Sequence, residues 1–179
     1  MTLTRDIPTL ETKFAPLALT SPPDRNGRVE GYATLFGEPD RGGDIVAPGA
    51  FTETLRSRPS SVKFLWQHDP AQPIGVWDSI VEDAKGLRVR GRLLTNLRRG
   101  EEAATLLAAG ALDGLSIGFR TVQAERAGPH RRLTRIELWE ISLVTFPMAD
   151  SARIAPAALQ EDAAALADAI RSAASAFAA

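Results

Sequence analysis

The sequence predicts an α+β domain, mainly antiparallel, with a β-barrel-like core and flanking helices. Three observations predict it. Several stretches alternate apolar and polar residues at period two, the longest being "LTRIELWEISLVTFP". The connections between them read as hairpins. Only two stretches of the body, "AFTETLRSR" and "NLRRGEEAATLLAAGAL", read as helices. Closing the sheet, or nearly closing it, would also leave such a chain few exposed strand edges.

Taken in order, residues 1–27 are rich in Thr, Pro and Asp and read as an extended N-terminal arm. "RVEGYATLFG" is the first strand of the body. "EPDRGGDIVAPGAF" follows as a Gly/Pro-rich loop too long for a simple hairpin, and loops of that length in compact domains tend to be functional. "AFTETLRSR" is one short helix. "VKFLWQHDP" is then a strand with Val62, Phe64 and Trp66 on one face and His68 next on that face. "PIGVWDSIVEDAKGLRVRGRLL" is a hairpin turning near Asp83 to Gly86. Its second arm puts Arg88, Arg90 and Arg92 on one face, which reads as a solvated outer face before a binding stripe. In the second helix Asn96 is placed to cap the start and Gly110 to end it in the left-handed conformation. "LSIGFRTVQAE" and "LTRIELWEISLVTFP" form the last hairpin, through "RAGPHRR". From about residue 156 the chain is Ala-rich, with Leu159, Leu166, Ile170 and Phe177 at roughly helical spacing, and 156–179 reads as a C-terminal helix or tail.

Composition excludes several chemistries. A net charge of -1 gives no basic field for nucleic acid or an anionic membrane. No apolar run reaches the roughly 18 to 20 residues that span a bilayer. "MTLTRDIPTLETKF" lacks the apolar core of a signal peptide, so a cytoplasmic protein is expected. With 0 cysteines there is no disulfide, thiolate metal site or cysteine nucleophile, and 2 histidines are too few for a histidine-rich metal site. No metal or cofactor is expected, and a covalent catalyst would have to use Ser, Thr, Lys or a carboxylate.

Three residues stand out against that background. In "GLSIGF", Leu115, Ile117 and Phe119 share a face, and Ser116 and Gly118 share the other. A small hydroxyl beside a position without a side chain lets another group approach the backbone. A nucleophilic serine needs that exposure, with backbone N–H groups near Ser116 to Gly118 to hold an oxyanion. Serine and glycine facing solvent or a bulge would give the same pattern. In "LTRIELWEISLVTF", alternation puts Ile136, Leu138, Glu140, Ser142 and Val144 on one face. Glu140 is then a carboxylate on a mostly apolar face, where it needs a partner, either a histidine or an arginine. Glu137 lies on the opposite, amphipathic face beside Arg135. His68, Ser116 and Glu140 are thus the parts of a Ser-His-acid hydrolase, while a satisfied core histidine would also fit. The second histidine, His130, lies in the polar turn "AGPHRR" and reads as solvated.

"GYATLFGE", "GDIVAPGAF", "LWQHDP" with "PIGVW", "GALDGLSIGF" and "LWEISLVTFPMADSARI" occur in this order. Together they resemble the prohead serine proteases of tailed bacteriophages and related gene-transfer particles, over about residues 28–155. The resemblance implies a protease domain over that span, with a β-barrel core flanked by helices, distantly similar to the herpesvirus assemblins. It matches the family's histidine to His68 and its nucleophile to Ser116. The herpesvirus relatives use a second histidine as third member; here the acid of "WEISLV" favours Glu140, then Glu137, with His130 in its turn.

The role that the resemblance implies is capsid maturation. Such an enzyme works inside the procapsid, in the host cytoplasm. It cleaves the scaffolding segment of the major capsid protein, or a separate scaffold, and then itself. Its partners would be the capsid protein and, by self-association, further copies of itself, with no nucleic acid and no membrane. The tail from Pro156 is then an interaction or self-cleavage segment, or one packed on the domain, and the "EPDRGGDIVAPGAF" loop borders the substrate cleft. The competing reading is a non-catalytic assembly or scaffold-binding module on the same barrel, which would have little reason to keep all three residues. A carboxylate protease on Asp44, Asp69 or Asp113 ranks last, because these lie in turn-like stretches without paired spacing.

Overall fold

The structure, a computed structural model, describes residues 11–15, 19–21 and 27–146. The predicted C-terminal tail lies outside the described residues. Among the described residues nine strands form one sheet: β1 Glu11–Ala15, β2 Leu19–Ser21, β3 Arg28–Leu35, β4 Asp44–Val46, β5 Lys63–Trp66, β6 Asp69–Glu82, β7 Gly86–Leu93, β8 Gly114–Ala127 and β9 His130–Val144. Their order is β1-β8-β9-β5-β6-β7-β3-β2, with β4 paired to β9 beside that path. β3 also touches β1 and β8, so the sheet curls back on itself. The predicted arm therefore contributes strands at both ends: β1 on β8 and β2 on β3. Two short helices, α1 Thr52–Ser57 and α2 Arg98–Ala108, flank the sheet. No helix among the described residues is long and apolar enough to cross a membrane.

The predicted hairpins form. β6 and β7 pair antiparallel, and the Asp83 carboxylate accepts the Lys85 and Gly86 N–H groups in the turn. Arg88, Arg90 and Arg92 are exposed along β7, as a solvated face should be. Arg88 pairs with Glu30 and Arg92 with Asp78. Phe64 stacks on Trp77 with ring centroids 4.0 Å apart, beneath Gly75 and Gly91, where any Cβ would strike one of these rings.

The body departs from a purely antiparallel sheet around β9. β4 and β5 both run parallel to it, Asp44–Val46 opposite Arg131–Leu133 and Lys63–Trp66 opposite Glu140–Leu143. Between them the Ile136 N–H donates to the Ala50 carbonyl, and the Leu138 N–H donates to Thr54 Oγ1 at 3.1 Å. The segment from Asp44 to Trp66 thus follows β9 from one end towards the other, with α1 spanning the gap. Much of the predicted long loop is this course. Its β4 strand sits seven to nine register positions from Glu140, a path of about 23–30 Å at the usual rise per residue.

Two local expectations are also corrected. The residue capping α2 is Leu97, without a side-chain cap bond, and not Asn96. Gly110 does take the left-handed conformation, with φ 69°. Its N–H donates to the Leu107 carbonyl and that of Ala111 to Leu106, the paired bonds of a Schellman ending.

Candidate active site

β5 ends at Trp66, before the histidine. Trp66 pairs with Asp69, and the two residues between them, Gln67 and His68, have φ 51° and 61°. A two-residue loop with both φ values positive is the tight hairpin turn whose twist suits antiparallel strands. His68 therefore does not continue the Val62, Phe64, Trp66 face. It is held in a left-handed turn that L-residues enter at a cost of about 1–2 kcal/mol, and such strain persists only where the surroundings impose it.

Those surroundings are visible. The Gln67 N–H donates to the Leu143 carbonyl at 2.9 Å, and its side-chain amide to Thr145 Oγ1 at 2.7 Å. The His68 N–H donates to Ser142 Oγ at 3.2 Å. Asp69 closes the turn from the other side, accepting the Ala71 N–H and the Gln72 amide, each at 2.8 Å. These bonds, the Ala71 N–H first, hold the Asp69 carboxyl below its ordinary range. From α2, Arg99 donates to Gln72 Oε1 at 2.7 Å and lies 5.4 Å from the centre of the Trp66 ring. One guanidinium thus braces the residues on both sides of the turn.

The carboxylate that meets the histidine is Glu140. His68 Nδ1 and Glu140 Oε1 are 2.5 Å apart, and Ser142 Oγ donates to the other oxygen, Oε2. Glu140 is 4% exposed, so its charge depends on these partners. It reaches them from an unexpected face. Gly118 opposes Glu140 but Phe119 opposes Leu138, so Trp139 is an extra residue, a β-bulge. By register the bulge puts Leu138 with Phe119 and the core, and Glu140 with Gly118 and Ser116. The predicted single face of Leu138, Glu140 and Val144 is broken at that point. Bulges of this kind re-aim side chains next to sites.

Gly118 is what admits the carboxylate. A Cβ built there would overlap Glu140 Oε1 and lie 2.8 Å from Cδ. Sequence reading expects the bare backbone at Gly118 to receive an approaching group, and that group is the carboxylate of the neighbouring strand. Ser116 lies two residues along β8, directly opposite Ser142. Facing residues of an antiparallel pair lie about 4.5–5.5 Å apart at Cα. Ser116, Ser142, Glu140 and the His68 ring therefore share one buried polar patch between the two strands. Ser116 is fully buried, against the exposure a nucleophile was expected to need.

The other candidate acids and bases stand apart. Glu137 pairs with Arg58 and Arg120; the bulge puts it by register on the face of Glu140, but these two guanidinium groups hold it. His130 begins β9, ten positions from Glu140. Asp44 is held by Arg131 at 2.7 and 2.9 Å. Ser142 has no role in the sequence reading, although its two-residue spacing from Glu140 marks a shared face. Among the described residues no group of three or more His, Asp or Glu side chains could hold a metal ion.

With Nδ1 engaged by a carboxylate, Nε2 is the ring nitrogen that can take a proton, and Glu140 favours the charged ring that results.

Known proteins match this chain in sequence and fold. Residues 17–166 match the family described as Caudovirus prohead serine protease. The prohead protease of Enterobacteria phage HK97 is 36% identical over 135 residues, covering 73% of this chain and 60% of the relative's own length. The solved structure of the bacteriophage T4 capsid assembly protease superposes with a TM-score of 0.59 over 79% of this chain and 100% of that one, at 13% identity. At that identity the likeness speaks for the fold.

Proposed function

This chain belongs to the Caudovirus prohead serine protease family, and from that premise we propose that it is a serine endopeptidase of capsid maturation. Ser116 is its nucleophile, His68 its general base and Glu140 the acid that orients the base. The observation that carries the reading is the Glu140 carboxylate, bonded to His68 Nδ1 at one oxygen and to Ser142 at the other, on the strand facing Ser116. Buried polar residues of two strands and a strained turn converge there, and a module serving only assembly would gain nothing from the convergence.

The chemistry follows from the parts. Ser116 Oγ attacks the scissile carbonyl while His68 Nε2 takes its proton. The imidazolium then gives that proton to the leaving amine as the C–N bond breaks, leaving an acyl-serine. Water, deprotonated by the same ring, hydrolyses the ester and restores the serine. Glu140 fixes the ring's tautomer and stabilises its charged form.

The substrate on this reading is the scaffolding segment of the major capsid protein or a separate scaffold, and then the enzyme's own chain. The work is done in the host cytoplasm inside a procapsid, of a phage or a gene-transfer particle. Residues 28–155 form the protease unit with an assemblin-like barrel, and the tail beyond it serves packaging or self-cleavage.

Co-expression with the cognate capsid protein tests the reading, with wild type beside Ser116→Ala and intact mass measured for each product. A discrete truncation of the capsid protein, absent with Ser116→Ala, is expected. The same truncation in the variant would refute the nucleophile. Assembled but uncleaved capsid protein in both samples would favour the assembly module.

A further inference from the structure

Ser116 must meet a peptide carbonyl, yet it is fully buried. One side of β8 is taken by β9. The other side, from Leu115 to Phe119, is taken by β1, antiparallel, with Phe14 opposite Ser116 and Thr12 opposite Gly118. β1 is five residues long and covers only the first part of a 14-residue strand. The backbone expected to serve an oxyanion, Ser116 to Gly118, lies along this ladder.

An endopeptidase receives an extended chain, and an extended chain binds most simply by adding a strand to a sheet edge through main-chain hydrogen bonds. Beside Ser116 that edge already carries a strand. From this we infer that Glu11–Ala15 is a resident pseudosubstrate: it occupies the position on β8 that an extended peptide takes, shields Ser116, and must be displaced for cleavage. The inference rests on the assignment of Ser116 as nucleophile. Recognition at this edge is mainly of backbone, so the partner it fits is an extended, unstructured polypeptide segment.

Displacement is local. Three residues separate β1 from β2, which pairs with β3 at the other end of the sheet, so the arm stays anchored while β1 leaves. Short terminal strands open at a small fraction of the global unfolding free energy. A substrate held at high local concentration, as inside a shell, competes with the arm by mass action.

The test uses the full chain, wild type and a Thr12→Pro/Lys13→Pro variant. Successive N–H groups of a strand point to alternate sides, so one of the two prolines removes a donor from the β1–β8 ladder. Two probes are applied, a fluorophosphonate that labels an activated serine and a fluorescein-tagged peptide of residues 9–17. The variant is expected to label at Ser116 at least tenfold faster than wild type, and to bind the tagged peptide at least tenfold more tightly by fluorescence polarisation. Wild-type labelling is expected to reach a plateau rate at high reagent, set by opening of β1. Equal labelling and equal peptide binding in both chains would overturn the inference. So would a wild-type rate that rises linearly with reagent, a result that stands even if the variant loses its cooperative melt. Tighter peptide binding by the variant with no labelling of either chain keeps the strand exchange and overturns Ser116 as nucleophile.

Discussion

Gly118 and Ser142 are the residues on which Glu140 depends. The carboxylate lies over the bare backbone of Gly118, and a methyl group there would occupy the place of Oε1. Gly118→Ala is therefore expected to evict the carboxylate from His68 and to lower kcat as far as Glu140→Ala does, with the fold retained. Near-normal cleavage of a capsid substrate by Gly118→Ala would mean that Glu140 has no part in the reaction. Ser142 acts differently, since it touches the acid and the histidine backbone together. Losing a hydrogen bond to a charged group costs about 1.5–3 kcal/mol. If that loss falls on the transition state, kcat drops about 10- to 100-fold in Ser142→Ala. If Ser142 acts only by positioning Glu140 and His68, KM for the same substrate should stay nearly constant. A change in KM alone, with kcat intact, would place Ser142 in substrate binding instead.

At the scale of elements, α1 and the bulge of β9 form one device. Thr54 Oγ1 receives the Leu138 N–H just before the bulged residue Trp139, and Thr54 is 3% exposed. Thr54→Val keeps the shape and removes the acceptor. It leaves a buried N–H without its partner, at a cost of about 1–3 kcal/mol. A lower urea midpoint with an unchanged slope is the expected result; an unchanged midpoint would show that α1 does not hold the bulge. This device also explains what the sequence conceals. The hairpins, the Arg face of β7 and the glycine ending α2 were legible, because period two and turn chemistry are local. The bulge at Trp139 was not, because a single extra residue leaves the alternation on each side intact and depends on the partner strand for its definition. The left-handed turn at Gln67 and His68 was hidden for a related reason. Gln67 is not a usual choice for positive φ and His68 only a tolerated one, and the contacts that impose it come from Leu143, Ser142 and Thr145, some 75 positions away in the chain. Sequence supplied Glu140's need for a partner, while its face was set by pairing.

The molecule as a whole sets an apolar and a polar face back to back on the same two strands. Leu115, Ile117 and Phe119 of β8 meet Leu143, Ile141 and Leu138 of β9 by register, and all six are buried in the core. Ser116 and Gly118 meet Ser142 and Glu140 on the opposite face. Alternation along a strand makes stability and chemistry neighbours in sequence and strangers in space. Substitutions at adjacent positions should therefore separate cleanly. Ile141→Val, between Glu140 and Ser142, is expected to lower unfolding stability by about 0.5–1.5 kcal/mol, as loss of one buried methylene does elsewhere. Cleavage at 25 °C should stay within about twofold, since a loss of that size leaves a domain of ordinary stability almost fully folded. Ser116→Ala should do the reverse, ending cleavage while its urea midpoint moves little. Urea titration and capsid-substrate cleavage, run on the same two variants, decide the matter. A tenfold loss of cleavage in a folded Ile141→Val chain would mean that packing on the core face sets the position of Glu140 and Ser142, and that the two faces are coupled through the β9 backbone.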